Sequence, residues 1–222
     1  MAITNARRPF VTLTYAQSID GSIAARPGTP RALSGNESKQ FTHQLRASHD
    51  AILVGIGTVL ADDPQLNVRL VQGPHPRPII LDSRLRCPTS ARCIDASRRT
   101  LIATTESAPI ANQQALEAVG AHVVRLPSAD GKIDLHALLE QLGNEGIKTL
   151  MVEGCAQVIA SFLRLRLVNR LIITIAPTLI GGVRGINELV SDLEYFPRLR
   201  RSAVRQLGED WILSGDIDWN GA

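Results

Sequence analysis

Cysteine is scarce in this chain of 222 residues: only Cys87, Cys93 and Cys155 occur. Three is an odd number, and their spacings match no zinc site. Lysine is equally scarce. Lys39, Lys132 and Lys148 are the only lysines among 24 basic residues, set against 21 acidic ones. Arginine suits two-pronged recognition of phosphate or carboxylate, although codon bias produces the same composition. A net charge of +3 gives little footing for nucleic acid. The densest basic patch, Arg198, Arg200, Arg201 and Arg205, has no aromatic ladder beside it and reads as a solvated face. No run of about 18 apolar residues exists, so no transmembrane helix is expected. The opening Met-Ala-Ile-Thr-Asn-Ala-Arg-Arg-Pro has no apolar core of a signal peptide. The expectation is a cytoplasmic protein with reduced thiols. Long linkers, internal repeats and low-complexity tracts are also lacking. With 44% hydrophobic and 20% charged residues, the chain has the balance of a globular protein, and 1–222 reads as one domain.

What is present is an alternation. Val11–Tyr15 has the period of two of a strand, with Val11, Leu13 and Tyr15 on one face. Short continuous apolar runs at Ala51–Val54, Ile79–Leu81, Leu101–Ala103, His122–Leu126, Leu150–Val152 and Leu171–Ala176 read as strands buried on both faces. Helical patterns lie over 110–119, 134–143 and 154–165, the last with Val158, Ile159, Phe162 and Leu163 as its stripe. Ser34-Gly-Asn-Glu37 has the spacing of a capping box, which starts a helix near Gly35 and runs it to about Ser48, with Phe41 and Leu45 on one face. Segments 200–207 and 211–218 read as a closing antiparallel pair. The pattern predicts a three-layer α/β fold: a mixed, mostly parallel sheet with helices on both faces and a C-terminal antiparallel strand pair.

Four motifs are candidates for chemistry. In Ala51-Ile-Leu-Val-Gly55-Ile-Gly57-Thr58, a buried strand turns through glycines into a helix, as an ordinary turn or as a phosphate-binding one. Asp62-Asp63-Pro64-Gln65-Leu66-Asn67-Val68-Arg69 is either a turn with its cap or a polar substrate site with Arg69 as an anion clamp. Ser18-Ile-Asp20-Gly21 carries a strong turn signal. Leu150-Met-Val-Glu153-Gly154-Cys155-Ala156 places a glutamate at the carboxyl end of a strand, where α/β sheets bind ligands; it also fits an acid at a helix start. The five histidines (43, 49, 75, 122, 136) have no metal-ligand spacing and read as surface or core residues. No serine stands in a Gly-x-Ser-x-Gly elbow.

Taken in order, these motifs resemble one family: the reductase domain at the C-terminus of the bacterial riboflavin-biosynthesis deaminase/reductase, also known in stand-alone form. The resemblance rests on Ser18–Gly21, Leu45-Arg46-Ala47, Asp50–Gly55, Gly57-Thr58-Val59, Asp62–Arg69, Asp82-Ser83, Glu153-Gly154 and Ala176-Pro-Thr-Leu-Ile-Gly181-Gly182. It spans nearly the whole chain. The zinc-deaminase signature, His-x-Glu with Pro-Cys-x-x-Cys, does not occur, so a reductase alone is expected and no metal.

The resemblance implies a dihydrofolate-reductase-like fold. It also implies hydride transfer from NADPH to C1′ of 5-amino-6-(5-phosphoribosylamino)uracil or a related pyrimidine ribosylamine phosphate, giving a ribitylamino chain. Asp62 and Glu153 carry over as catalytic residues. Arg46, Leu66, Arg69 and Asp20 carry over as substrate contacts. Ala16, Gly57, Thr58, Ser83, Arg84, Gly154, Cys155 and Ala156 carry over as cofactor contacts. Ser83-Arg84, directly after a strand, suits the 2′-phosphate that distinguishes NADPH from NADH. Three positions depart from the family pattern, Ser22, Pro30 and Ala32, and Cys155 replaces the second residue of a Gly-Gly-type turn. A homodimer is expected from the family and from the strand-rich segment Ala203–Leu213. Competing readings are a related pterin or pyrimidine reductase, such as one acting on dihydrofolate, and a non-catalytic nucleotide-binding module.

Overall fold

Short, mostly apolar runs, five of the six ended by glycine, proline or an acid, have no helical stripe to bury and form strands instead. The computed structural model describes residues 8–26, 28, 29, 32–186 and 196–220. In chain order the elements are β1 (Phe10–Ser18), β2 (Ser22–Ala24), α1 (Asn36–Ala47), β3 (Ala51–Gly55), α2 (Ile56–Asp62), β4 (Arg77–Leu81), β5 (Leu101–Thr105) and α3 (Ile110–Ala118). There follow β6 (His122–Leu126), β7 (Ser128–Ala129), β8 (Lys132–Ile133), α4 (Leu135–Asn144), β9 (Thr149–Glu153) and α5 (Ala156–Arg164). The chain closes with β10 (Arg170–Ala176), β11 (Val183–Arg184), β12 (Arg198–Leu207) and β13 (Asp210–Asp218).

The main sheet has nine strands in the order β12-β13-β10-β1-β9-β3-β4-β5-β6. From β10 to β6 all neighbours are parallel, and β13 and β12 close the sheet antiparallel. Every apolar run expected to be a strand is one, and the closing pair is present. Two small antiparallel pairs, β2–β11 and β7–β8, escape the sequence pattern because their strands are only two or three residues long.

Register assigns the faces. Val11 lies opposite Leu150, which lies opposite Ala51, whereas Thr12 lies opposite Met151 and Met151 opposite Ile52. The Val11–Leu150 face packs against Leu138 and Leu142 of α4 and Ile159 and Phe162 of α5, all buried. On the other face Ile52, Val54, Ile80 and Ile102 meet Val59 of α2 and Leu116 of α3. Helix α1 covers the part of that face where the sheet is polar, above Thr12, Thr14 and Glu153.

The capping box is not formed. The N-cap of α1 is Gly35 and it makes no side-chain cap bond. Its own N–H donates to Asp210 Oδ2 at 2.8 Å, so the hairpin β12–β13 ties down the helix start from a distance of 175 residues. Of the family departures, Pro30 lies outside the described residues. Ser22 is buried in the turn after β1.

Candidate active site

Two neighbouring sites form at the carboxyl end of the sheet, and β9 serves both. Its last residue, Glu153, faces α1. The next residues, Gly154 and Cys155, turn the chain into α5.

On the α1 side, Arg46 grips Glu153 with two nitrogens. Nη2 donates to Oε1 at 2.7 Å and to Oε2 at 2.9 Å, and Nε donates to Oε2 at 3.1 Å. Its Nη1 donates to the carbonyl of Asn67 at 3.3 Å. Asn67 lies in the loop that carries Leu66 and Arg69, so three of the expected substrate contacts and Glu153 come together here. Leu66 is buried within the second core. Arg69 is exposed and spends one nitrogen on Asn67 Oδ1 at 3.2 Å. The two arginines therefore have different employments: Arg46 is committed to Glu153, while Arg69 offers its remaining donors to solvent.

His43, on the same helix, belongs to this cluster although nothing in the sequence singled it out. It is 4% exposed and its Nδ1 accepts the backbone N–H of Arg69 at 3.0 Å. Burial, with the Arg46 and Arg69 guanidinium groups nearby, holds its pKa down at about 4.

Asp62 is the last residue of α2. Among the described residues it has no hydrogen-bond partner, and partial desolvation raises its carboxyl above the usual range. Asp63 is different: it takes the left-handed C-cap conformation (φ 40°), and its Oδ1 accepts the Arg92 N–H at 2.8 Å. Asp20 has no acceptor capacity to spare for a ligand. Its oxygens accept from Ser18 Oγ (2.6 Å), Ser22 Oγ (2.5 Å), Ile180 N–H (2.9 Å) and Gly181 N–H (3.0 Å). These donors hold its pKa far below the carboxylate range. It ties the β1–β2 turn to the loop after β10.

The other side is a cleft of about 930 Å³. Gly57, Ser83, Arg84, Cys155 and Ala156, all expected cofactor contacts, line it. Gly154 is packed beneath. A Cβ on Gly154 would stand 2.7 Å from Val158 Cβ, and one on Gly55 2.8 Å from Val158 Cγ2. The two glycines let α5 sit down on the ends of β3 and β9. Its N-cap, Cys155, makes no side-chain cap bond, so the positive end of a nine-residue helix opens on the cleft. Thr58 and Ala16 are half-buried nearby, in the first turn of α2 and opposite Thr174 on β1, and do not line the cleft.

Cations dominate the cleft walls. Arg84, Arg86, Lys132 and Arg164 line it with a single carboxylate, Asp134. That carboxylate is occupied in capping α4, accepting from His136 N–H at 2.8 Å and Ala137 N–H at 3.2 Å. Arg86, Lys132, His136 and Arg164 were not expected from the sequence; the Asp130-Gly131 turn signal of the hairpin that brings Lys132 was the one available clue. The loop bearing Ser83 and Arg84 is shaped by buried Asp82, whose Oδ2 accepts the Cys87 N–H at 2.7 Å and whose carboxyl burial pushes up in pKa. Among the described residues no group of histidine, cysteine and acidic side chains is arranged to hold a metal ion, and no helix is long and apolar enough to cross a membrane.

Fold and site together define a dihydrofolate-reductase-like α/β protein with a cleft lined by cations beside a buried polar cluster. The model of the RibD C-terminal domain matches residues 9–213, and the chain belongs to that family. It is 37% identical over 217 residues to the 2,5-diamino-6-ribosylamino-4(3H)-pyrimidinone 5′-phosphate reductase of Methanothermobacter thermautotrophicus, covering 93% of this chain and 97% of the relative. Among solved structures, Acinetobacter baumannii RibD superposes with a TM-score of 0.82 at 28% identity; the match covers 98% of this chain, which spans 60% of that protein. The Saccharomyces riboflavin biosynthesis reductase Rib7 superposes with a TM-score of 0.75 at 32% identity, covering 98% of this chain and 93% of Rib7. At the level of fold alone, Enterococcus faecalis dihydrofolate reductase also superposes, with a TM-score of 0.52.

Proposed function

We propose that this chain is an NADPH-dependent reductase of riboflavin biosynthesis. It converts the ribosylamino group of 2,5-diamino-6-ribosylamino-4(3H)-pyrimidinone 5′-phosphate, the compound in the name of its archaeal relative, into a ribitylamino group. The observation that carries this reading is the junction Glu153-Gly154-Cys155. One residue of it faces the Arg46 cluster and another lines the cationic cleft, so ligands held on the two sides would meet across a single turn.

The cleft fits a dinucleotide phosphate. The uncapped start of α5 and the side chains of Lys132 and Arg86 suit a pyrophosphate. Ser83 and Arg84 suit a 2′-phosphate: a hydrogen bond to a charged group is worth about 1.5–3 kcal/mol, roughly ten- to a hundredfold in affinity. When bound, the cofactor supplies the hydride that reduces C1′. The chain's own groups do the rest. Arg69 binds the substrate phosphate, and Arg46 fixes the orientation of Glu153; Leu66, expected to touch the substrate, is instead buried in the second core and anchors the loop that carries Arg69. Asp62, with its raised pKa, manages the proton at the nitrogen attached to C1′. The reading includes a cytoplasmic location, which the three free thiols suit.

The test is oxidation of NADPH, followed spectrophotometrically, against a panel: the diamino pyrimidinone ribosylamine phosphate, its deaminated uracil counterpart, and dihydrofolate. The expected order of kcat/KM places the diamino compound first and dihydrofolate at background. NADH is expected to be at least tenfold poorer than NADPH. Turnover of dihydrofolate alone overturns the assignment of substrate, and equal use of the two cofactors overturns the role of Ser83 and Arg84.

A further inference from the structure

The loop 65–69 carries Arg69, a proposed substrate contact, without regular secondary structure of its own. Leu66 sits at φ 50°, in the left-handed region that a branched side chain disfavours, and is 1% exposed. Such a conformation persists only where the surroundings determine it. Here side chains from outside the loop hold the backbone at every residue. His43 and His75 accept the N–H groups of Arg69 (3.0 Å) and Val68 (3.2 Å) through their Nδ1 atoms. Arg46 takes the carbonyl of Asn67. Arg98 takes the remaining two: its Nη1 donates to the Leu66 carbonyl at 2.9 Å and its Nη2 to the Gln65 carbonyl at 3.1 Å.

Arg98 is itself fixed. Its Nε donates to Asp95 Oδ2 at 2.7 Å, and its side chain is only 11% exposed. Asp95 is in turn held by Ser97 and Thr100. A planar guanidinium fork can span two successive carbonyls while its third nitrogen stays on a carboxylate; a lysine ammonium has no such geometry. We propose that Arg98 is a positioning residue for the reaction: it sets the Gln65–Leu66 turn, with Leu66 as its buried anchor, and thereby places the exposed Arg69 against the pyrimidine substrate. The inference rests on the reading of Arg69 as a substrate contact. The excursion between β4 and β5 then serves both ligands, since Ser83, Arg84 and Arg86 at its beginning line the cleft and Arg98 at its end shapes the substrate loop.

The test compares Arg98→Met, Arg98→Lys and Arg69→Ala in the full chain. It measures kcat and separate KM values for the pyrimidine ribosylamine phosphate and for NADPH, with circular dichroism as a check on folding. In Arg98→Met the substrate KM is expected to rise at least tenfold, with the NADPH KM within twofold of the parent. Arg98→Lys is expected to recover only part of the loss. If Arg98→Met does not fold, Arg98→Lys alone must show the same one-sided rise at smaller size. An unchanged substrate KM in the folded variant, or a parallel rise in both KM values as general loosening gives, overturns the proposal. Arg69→Ala separates the two readings. If it raises the substrate KM while Arg98→Met does not, only the role of Arg98 falls. If it leaves the substrate KM unchanged, the substrate assignment of the loop falls and the role of Arg98 with it.

Discussion

Asp62 and Asp63 are indistinguishable as letters and are opposites as side chains. Asp63 does the structural work, ending α2 in a left-handed cap and holding the Arg92 N–H. Asp62 is left at the negative end of the helix with no partner among the described residues, where the macrodipole and partial desolvation both disfavour its charge. A carboxylate that spends nothing on the fold is free to act on a ligand. Asp62→Asn keeps the size and removes the charge. It is expected to lower kcat at least tenfold, about 1.4 kcal/mol in barrier, with NADPH affinity little changed and thermal stability not reduced. Arg69→Ala gives the contrast. It removes a grip on a phosphate remote from the reacting carbon, a contact made alike in the ground and transition states, so it is expected chiefly to raise the substrate KM. Steady-state kinetics on both variants decide the matter; wild-type turnover by Asp62→Asn removes Asp62 from the chemistry.

Helix α1 shows at the level of the element why the sequence disclosed one half of the site better than the other. Strands announce themselves because a continuous apolar run has few other structures available, and all six such runs were legible as strands. The turns after β3 and β9 were legible too, since a glycine follows a buried strand where α5 must approach closely. Helix α1 inverts the usual rule. It buries Ser38, His43 and Arg46, while Phe41 and Leu45, the apolar pair expected on one face, are only half-buried. Phe41 instead lies beneath the Arg205 guanidinium, 4.2 Å from its centroid. Hydrophobic periodicity cannot register a polar face that packs on a polar stretch of sheet, nor a side chain such as Arg98 that bonds to carbonyls more than 30 residues away. That polar burial has a pH signature. The native chain keeps His43 neutral down to about pH 4, whereas the unfolded chain protonates it near 6.5. Between those values the unfolded state binds more protons, so stability falls as pH is lowered through the window. His43→Asn keeps an acceptor at the Nδ1 position and cannot titrate. Thermal melts from pH 7 to 4 are expected to show a shallower acid loss in this variant than in the parent, with the substrate KM at pH 7 nearly unchanged. Identical slopes count against the buried neutral histidine.

At the scale of the whole molecule the sheet must end somewhere, and at one side it ends on β12. Among the described residues that strand pairs with β13 alone, and most of its residues are exposed. Val204 is 66% exposed, and Phe196, just before the strand, is 74% exposed. An open edge with apolar side chains invites a second chain. Arginines are the usual guard against such pairing, and Arg198, Arg200, Arg201 and Arg205 all lie on this strand. The guard is largely neutralised, however. Arg200 donates to Asp218 at 2.5 Å, Arg201 pairs with Asp216, and Arg205 is folded over Phe41. Two copies related by a two-fold axis would therefore meet with ion pairs already satisfied inside each copy, so like charges repel weakly across the interface. The expectation is a homodimer through β12, twice the 24.0 kDa chain. Val204→Glu places an unpaired carboxylate at the middle of this surface. Sedimentation equilibrium at micromolar concentration is expected to give a dimer for the parent and a monomer for the variant, with the variant's circular dichroism unchanged. A parent that sediments as a monomer excludes the dimer. A Val204→Glu variant that stays dimeric excludes β12 as its interface and moves the contact to another surface.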